Sequence, residues 1–316
     1  MTDLYLHHYP TSLFSEKVRS LLGYLELPWN SVVINPIMPR PNLMELSGGY
    51  RKTPILQDGA NVFCDTKMIC VHLAARAGNT SLYKPGFAAT RFAEWADTTL
   101  FRTCVALCFA PKAVAVVAQQ MGEANMAAFV EDRAKLSAGA AIASMTPEVA
   151  EANFLHYLRE LEDSLAHTSA SVYLFGSSPS IADFALYHCL WFVGQNPVVA
   201  PLLDGFEHIK NYLKPFVAWG QIEGAPSTSE AALARGSEAT PELFTYGEHL
   251  PLVGAGEGIK LGDPVAVTPD DYGKIPVVGE LLHISDVTIV VGRTDSVAGA
   301  VNAYFPRTGF EVALAS

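Results

Sequence analysis

The 316-residue sequence predicts an α/β domain over residues 1–82, an all-helical bundle domain over 87–223 and a small, mostly β module over 240–316. Three observations lead there. The first eighty residues alternate strand-like runs with apolar runs of helical period. From about residue 87 to 222 the strand signals give way to long amphipathic stretches. Beyond a segment rich in Gly, Pro, Ser and Thr, short β-branched runs are broken by Gly, Pro and Asp.

In the first domain "LYLHHY" reads as a strand. "FSEKVRSLLGYLEL" then sets Val18, Leu21, Leu22 and Leu25 on one helical face. "WNSVVIN" is a second strand, expected to be buried on both faces if it lies inside a sheet. "TPILQDGANVFC" holds two short strands around Asp58-Gly59, a hairpin signal. "DTKMICVHLAARAG" follows as a helix with Asp65 as N-cap and Gly78 as stop.

In the helical region, Phe154, Leu158, Leu161 and Leu165 recur on one face of "VAEANFLHYLRELEDSLA". "PSIADFALYHCLWFV" opens with Ser180 and Asp183, a variant of the capping box, and runs apolar on nearly every side, as a core helix does. "GAPSTSEAALARGSEATPELFT" has linker composition at both ends. The runs "DPVAVTPDD", "PVVGELLHI", "DVTIVVGRT" and "AVNAYFPRTGFEVALA" form the β module. Val253–Gly258, "VGAGEG", lacks the Gly-Lys-Ser/Thr ending of a phosphate-binding loop and is read as an ordinary loop.

Composition narrows the function. Half of the residues are hydrophobic and only 17% charged, which describes a compact globular chain. A net charge of -11 argues against nucleic acid or an anionic membrane bound by bulk electrostatics. Five scattered cysteines fit reduced thiols and a cytoplasmic setting better than a disulfide framework. The N-terminus has no basic flank and no apolar core of signal-peptide length. The most apolar stretch carries Arg102, Pro111 and Lys112, too many interruptions for a membrane span. Cys104 and Cys108 share a helical face, but a metal needs further ligands, so packing is expected there and no metal.

Ser12, between the first strand and the first helix, either caps the helix or takes part in chemistry. Tyr9 is a rival hydroxyl near the strand end, and Ser15 lies one turn further on. "YPTSLFSEKVR", "KTP" at Lys52 to Pro54, "CDT" at Cys64 to Thr66 and the capped helix "SIADFALYHCLWFV" occur in that order. In this combination the chain resembles the glutathione transferases over roughly residues 3 to 222. The final eighty or so residues fall outside the family's ordinary pattern, and Leu13 stands where many relatives have proline.

The resemblance implies a thioredoxin-like fold for the first domain and a site for glutathione. In serine-type members the serine after the first strand donates a hydrogen bond to the glutathione sulfur, a role that would fall to Ser12, or to Tyr9 as in other classes. A free thiol with pKa ~8.5 is only a few per cent thiolate at neutral pH, and lowering it by ~2 units requires about 2.7 kcal/mol. A hydrogen bond to an anion contributes roughly 1.5–3 kcal/mol and the helix N-terminus ~0.3–1 kcal/mol, so no general base is needed.

The resemblance further implies that Thr53, before a cis Pro54, presents its backbone to the cysteinyl part. Asp65 and Thr66 would hold the γ-glutamyl group at a helix N-terminus. Lys52, with Arg51 as second choice, would meet the glycyl carboxylate. The expected activity is transfer of glutathione to a small apolar electrophile, as in detoxification, by a homodimer. The competing expectation is a non-catalytic binding or interaction protein whose β module carries the specific task. A thiol-reductase variant would need cysteine at position 12.

Overall fold

The computed structural model describes residues 3–140, 145–167, 172–247 and 258–315. Val253–Glu257 of the glycine-rich run lie outside the described residues.

The chain starts with β1 (Leu4–His8), α1 (Leu13–Tyr24), β2 (Asn30–Val33), α2 (Pro41–Ser47), β3 (Ile55–Asp58), β4 (Asn61–Cys64) and α3 (Thr66–Arg76). β1 pairs in parallel with β2 and antiparallel with β3, and β3 and β4 make the expected hairpin. α1 buries Val18, Leu21 and Leu22 completely, but Leu25 falls just beyond it as the C-cap. β2 is not buried on both faces. Val32 is 1% exposed but its neighbour Val33, on the opposite face, is 63% exposed.

The helical part comprises α4 (Phe87–Trp95), a π-helical turn (Ala96–Leu100), α5 (Phe101–Cys108), α6 (Pro111–Met121), α7 (Glu123–Leu136), α8 (Pro147–His167), α9 (Ile181–Gly194) and α10 (Glu207–Gly220). α8 buries Phe154 and Leu158, with Leu161 and Leu165 partly covered, and α9 is the core helix. Asp183 accepts from the Ser180 backbone N–H at 2.8 Å and the Ser180 hydroxyl at 2.7 Å, so the predicted cap is present. α1 lies close against α10: a Cβ on Gly23 would come within 2.2 Å of the Trp219 carbonyl oxygen. Glycine is what permits that approach. No single helix among the described residues is long and apolar enough to cross a membrane.

The segment with linker composition is itself structured, as β5 (Ala225–Ser227) and α11 (Ser229–Glu238). The Thr228 hydroxyl accepts from Ala231 N–H and caps α11. The remaining strands are β6 (Pro264–Pro269), β7 (Val277–Ile284), β8 (Thr288–Asp295), β9 (Gly299–Pro306) and β10 (Phe310–Leu314).

These strands do not form a sheet of their own. One ten-stranded sheet runs in the order β10-β6-β7-β8-β9-β4-β3-β1-β2-β5. The seam is the parallel pair β4–β9, with Asn61, Val62 and Phe63 opposite Asn302, Ala303 and Tyr304. The end of the chain thereby covers both edges of the N-terminal sheet, β9 on one side and β5 on the other, leaving neither edge open for stray pairing.

Across the seam Phe63 stacks between His72 at 3.9 Å and Tyr304 at 4.5 Å. Beneath it Asp58 accepts from His72 at 3.0 Å and Arg76 at 2.6 Å. Arg293, from β8, donates to the carbonyls of Glu45 and Leu46 at the end of α2. One hydrophobic core lies between α1, α3 and the helices. The other joins α2, β4 and α11 to the C-terminal strands.

Candidate active site

β1 delivers a loop, Tyr9 to Ser12, to the start of α1, and Arg19 from within α1 pins it. The Arg19 guanidinium donates to Pro10 O at 3.0 Å, to His8 Nδ1 at 3.1 Å and to the Glu16 carboxylate at 2.7 Å. Because His8 Nδ1 accepts from Arg19, its Nε2 carries the proton and donates to Ser31 Oγ at 2.8 Å. Tyr187 of α9 completes the set, donating to Glu16 Oε1 at 2.6 Å.

Ser12 sits as the N-cap of α1, 4% exposed, its Oγ accepting from Ser15 N–H at 3.2 Å. Capping is therefore one role the serine fills; a hydroxyl that accepts this bond still has its own proton to donate. Tyr9 is half-buried against the second core.

His7 and His8 are held neutral. Burial lowers His7 to about 4, and burial with the nearby Arg19 charge lowers His8 to about 3. An unfolded chain takes up these protons near pH ~6.5. The stability they confer is present above that pH and is lost as the pH falls towards 4, by ~1.4 kcal/mol per unit per imidazole. The urea midpoint is expected to drop over that interval, and His8→Gln to flatten the slope. An unchanged slope in the variant would refute the assignment.

The five other predicted residues converge. Lys52, Thr53, Pro54, Asp65 and Thr66 line one cleft of about 430 Å³. The Thr53–Pro54 peptide is cis. Asp65, at φ 73°, caps α3 by accepting from Lys67 N–H at 2.9 Å, leaving Thr66 at the first position of the helix. Phe14, two residues past Ser12, lines the cleft, whereas Ser12 and Tyr9 do not. Cys64 faces away, buried in the second core, its thiol pushed up by burial and by the Asp65 charge.

The far wall comes from the helices: Glu94, Asp97, Thr98, Phe101 and Arg102. Asp97 lies in the π-helical turn, a kind of irregularity that often marks functional positions. Its carboxylate binds Lys17 of α1 at 2.6 Å and His188 of α9 at 2.9 Å. Burial opposes the charge on both members of the Lys17–Asp97 pair. Their mutual attraction outweighs it, so Lys17 is held above the usual lysine value and Asp97 below the usual carboxylate value. The triad fixes the helical wall to the helix that carries Ser12.

Sequence reasoning missed three groups. Arg40, between Pro39 and Pro41, is buried and donates to Asn35 O at 2.7 Å, Pro36 O at 2.7 Å and Thr53 Oγ1 at 2.9 Å. It clamps the loop that precedes Pro54. Burial lowers it to about 10, which leaves it charged at neutral pH. The second group is Asp97, which no motif in the surrounding sequence singles out.

The third group closes the cleft from the end of the chain: Asp270, Asp271, Tyr272, Thr308, Gly309 and Phe310. Lys52 is bound by Asp271 at 2.5 Å and lies over the Tyr272 ring at 4.3 Å. Arg51, the second choice for the same task, is bound by Asp132 of α7 at 2.7 Å.

Residues 6–81 match the glutathione S-transferase N-terminal domain and residues 116–214 the glutathione S-transferase C-terminal domain. The chain is similar to the crystal structure of a GST-like protein from Pseudomonas syringae, with 35% identity and a TM-score of 0.80 over 100% of both chains. The chain belongs to the glutathione S-transferase family.

Full coverage of that relative extends the likeness through the C-terminal strands. Glutathione S-transferase III in apo form is 21% identical, with a TM-score of 0.49 over 68% of this chain and 91% of its own. A theta class enzyme from Xanthomonas axonopodis pv. citri with glutathione bound is 16% identical, with a TM-score of 0.46 over 71% and 99%. No curated protein matches the chain.

Proposed function

We propose that the protein is a glutathione transferase that stabilises the thiolate of glutathione through the hydroxyl of Ser12 and delivers it to a small apolar electrophile. The observation that carries this reading is the convergence of Thr53, cis Pro54, Asp65 and Thr66 on one cleft walled by Phe14 and Phe101.

In this proposal the Thr53 backbone pairs with the cysteinyl part. The γ-glutamyl carboxylate meets the N-terminus of α3 and Thr66, and the ammonium meets Asp65. The thiol proton leaves to solvent and Ser12 Oγ–H donates to the sulfur anion. Sulfur then attacks the electrophilic carbon, forming a C–S bond, and a leaving group such as halide departs with its bonding pair. Titrating the absorbance of the bound thiolate checks the claim. The thiol should ionise ~1–2 units below a free thiol, and Ser12→Ala should restore the free value while slowing turnover at neutral pH by roughly 10–100-fold. An unchanged pKa in that variant would sink the mechanism.

A second reading is a protein of this family that binds glutathione without turnover. It draws support from Ser12, which is 4% exposed and lies outside the cleft lining. Retention of glutathione with no turnover of any electrophile would favour it.

A further inference from the structure

The end of the cleft that the family expectation assigns to a free carboxylate is already occupied by one. Lys52 is only 12% exposed and its ammonium is bound to Asp271. Tyr272 and Phe310 lie beside the same ammonium, at 4.3 and 5.9 Å. The neighbouring Asp270 also lines this end and has no side-chain partner among the described residues. Of the other cations around the cleft, Arg51 is bound to Asp132, Arg40 to backbone carbonyls and Thr53, and Lys67 to Glu94 at 3.7 Å, while Arg102 on the helical wall donates to Thr98 O at 3.2 Å.

An incoming carboxylate here would have to separate Lys52 from Asp271 and then sit against two acidic side chains. A neutral amide meets neither obstacle. Its carbonyl can accept from the ammonium that Asp271 already orients, and its N–H can donate to either aspartate.

We infer that Asp271 is a specificity-determining residue that turns the cleft towards a thiol peptide whose C-terminal carboxyl is carried as an amide, and away from the free acid. The inference rests on the reading that the cleft binds glutathione, and deepens it by naming the form of the peptide that is preferred. Asp271 comes from the strand-rich end of the chain, so the same inference gives that end a task in recognition.

The test compares glutathione with its glycyl amide by titration calorimetry on the full chain, wild type and Asp271→Asn. Asp271 is 48% exposed, so the substitution should be tolerated, and a thermal unfolding curve confirms it. The ion pair is half open to solvent, which keeps the expected effect modest. The wild type should bind the amide roughly two- to fivefold more tightly than the free acid, and Asp271→Asn should recover that factor for the free acid while changing amide binding little.

Equal or tighter binding of the free acid by the wild type, with the same ratio in the variant, would overturn the role of Asp271 and leave the glutathione site standing. Binding of neither peptide by either protein would remove both readings. If Asp271→Asn unfolds at a lower temperature, Asp271→Glu supplies the second arm. It keeps the charge and should keep the preference for the amide; loss of that preference with the charge retained would count against the inference.

Discussion

A chain ended after Thr240 should fail to fold, leaving insoluble protein or a species without a cooperative transition. The second core draws Val32, Ile34, Leu43, Leu46, Tyr50, Ile55, Val62 and Cys64 from the N-terminal half and packs them with residues of β6 to β10. Tyr50, for example, meets the rings of Phe305 and Phe310 at 6.0 and 6.3 Å. Burying a large apolar side chain is worth ~1.5–3 kcal/mol. Uncovering even half of these would cost about 6–12 kcal/mol, as much as the ~5–15 kcal/mol that separates a typical folded domain from its unfolded chain. The β4 edge would lose its parallel partner as well. Expression of residues 1–240 with circular dichroism and urea titration checks this, and a soluble fragment with the full-length midpoint would refute it.

Asp183→Ala should destabilise the full chain by ~4 kcal/mol or more. The carboxylate, fully buried, accepts from four donors: Ser180 N–H and hydroxyl, Leu174 N–H at 2.9 Å and Tyr212 Oη at 2.7 Å. Alanine leaves all four without this acceptor, three of them at buried positions, at ~1–3 kcal/mol each and not fully additive. Asn offers one acceptor oxygen and should recover part of the loss. Urea unfolding of the two variants measures both. A loss under ~1 kcal/mol for alanine would show that the cap is replaceable by local rearrangement.

How far the sequence could be read follows from the range of the interaction behind each element. α1, α3, α9 and the β3–β4 hairpin were legible because periodicity, caps and the Asp58-Gly59 turn are written within a dozen residues. α2 gave no warning: seven residues are too few for a period to show, and Arg40 at its N-cap makes no side-chain capping bond. The strands of the C-terminal region were legible one by one. Their union with β4 was not, since nothing local to Asn61–Phe63 names Asn302–Tyr304 as its neighbours.

The site divides in the same way. Thr53, Pro54, Asp65 and Thr66 came from short motifs, and all four line the cleft. Asp271 reaches Lys52 across a separation of 219 residues, and no motif spans that distance. Lys52 itself was expected to be waiting for a ligand's carboxylate and instead holds one from its own chain.

A sheet whose middle strands pair with the last fifty residues has a consequence for biosynthesis. A ribosome releases β4 long before β9 exists, and parallel partners far apart in sequence close slowly. Until translation ends, the nascent N-terminal half shows an unzipped strand and an uncovered oily face to its surroundings. This protein should therefore lean on holding chaperones during synthesis, and should refold in a tube only when dilute.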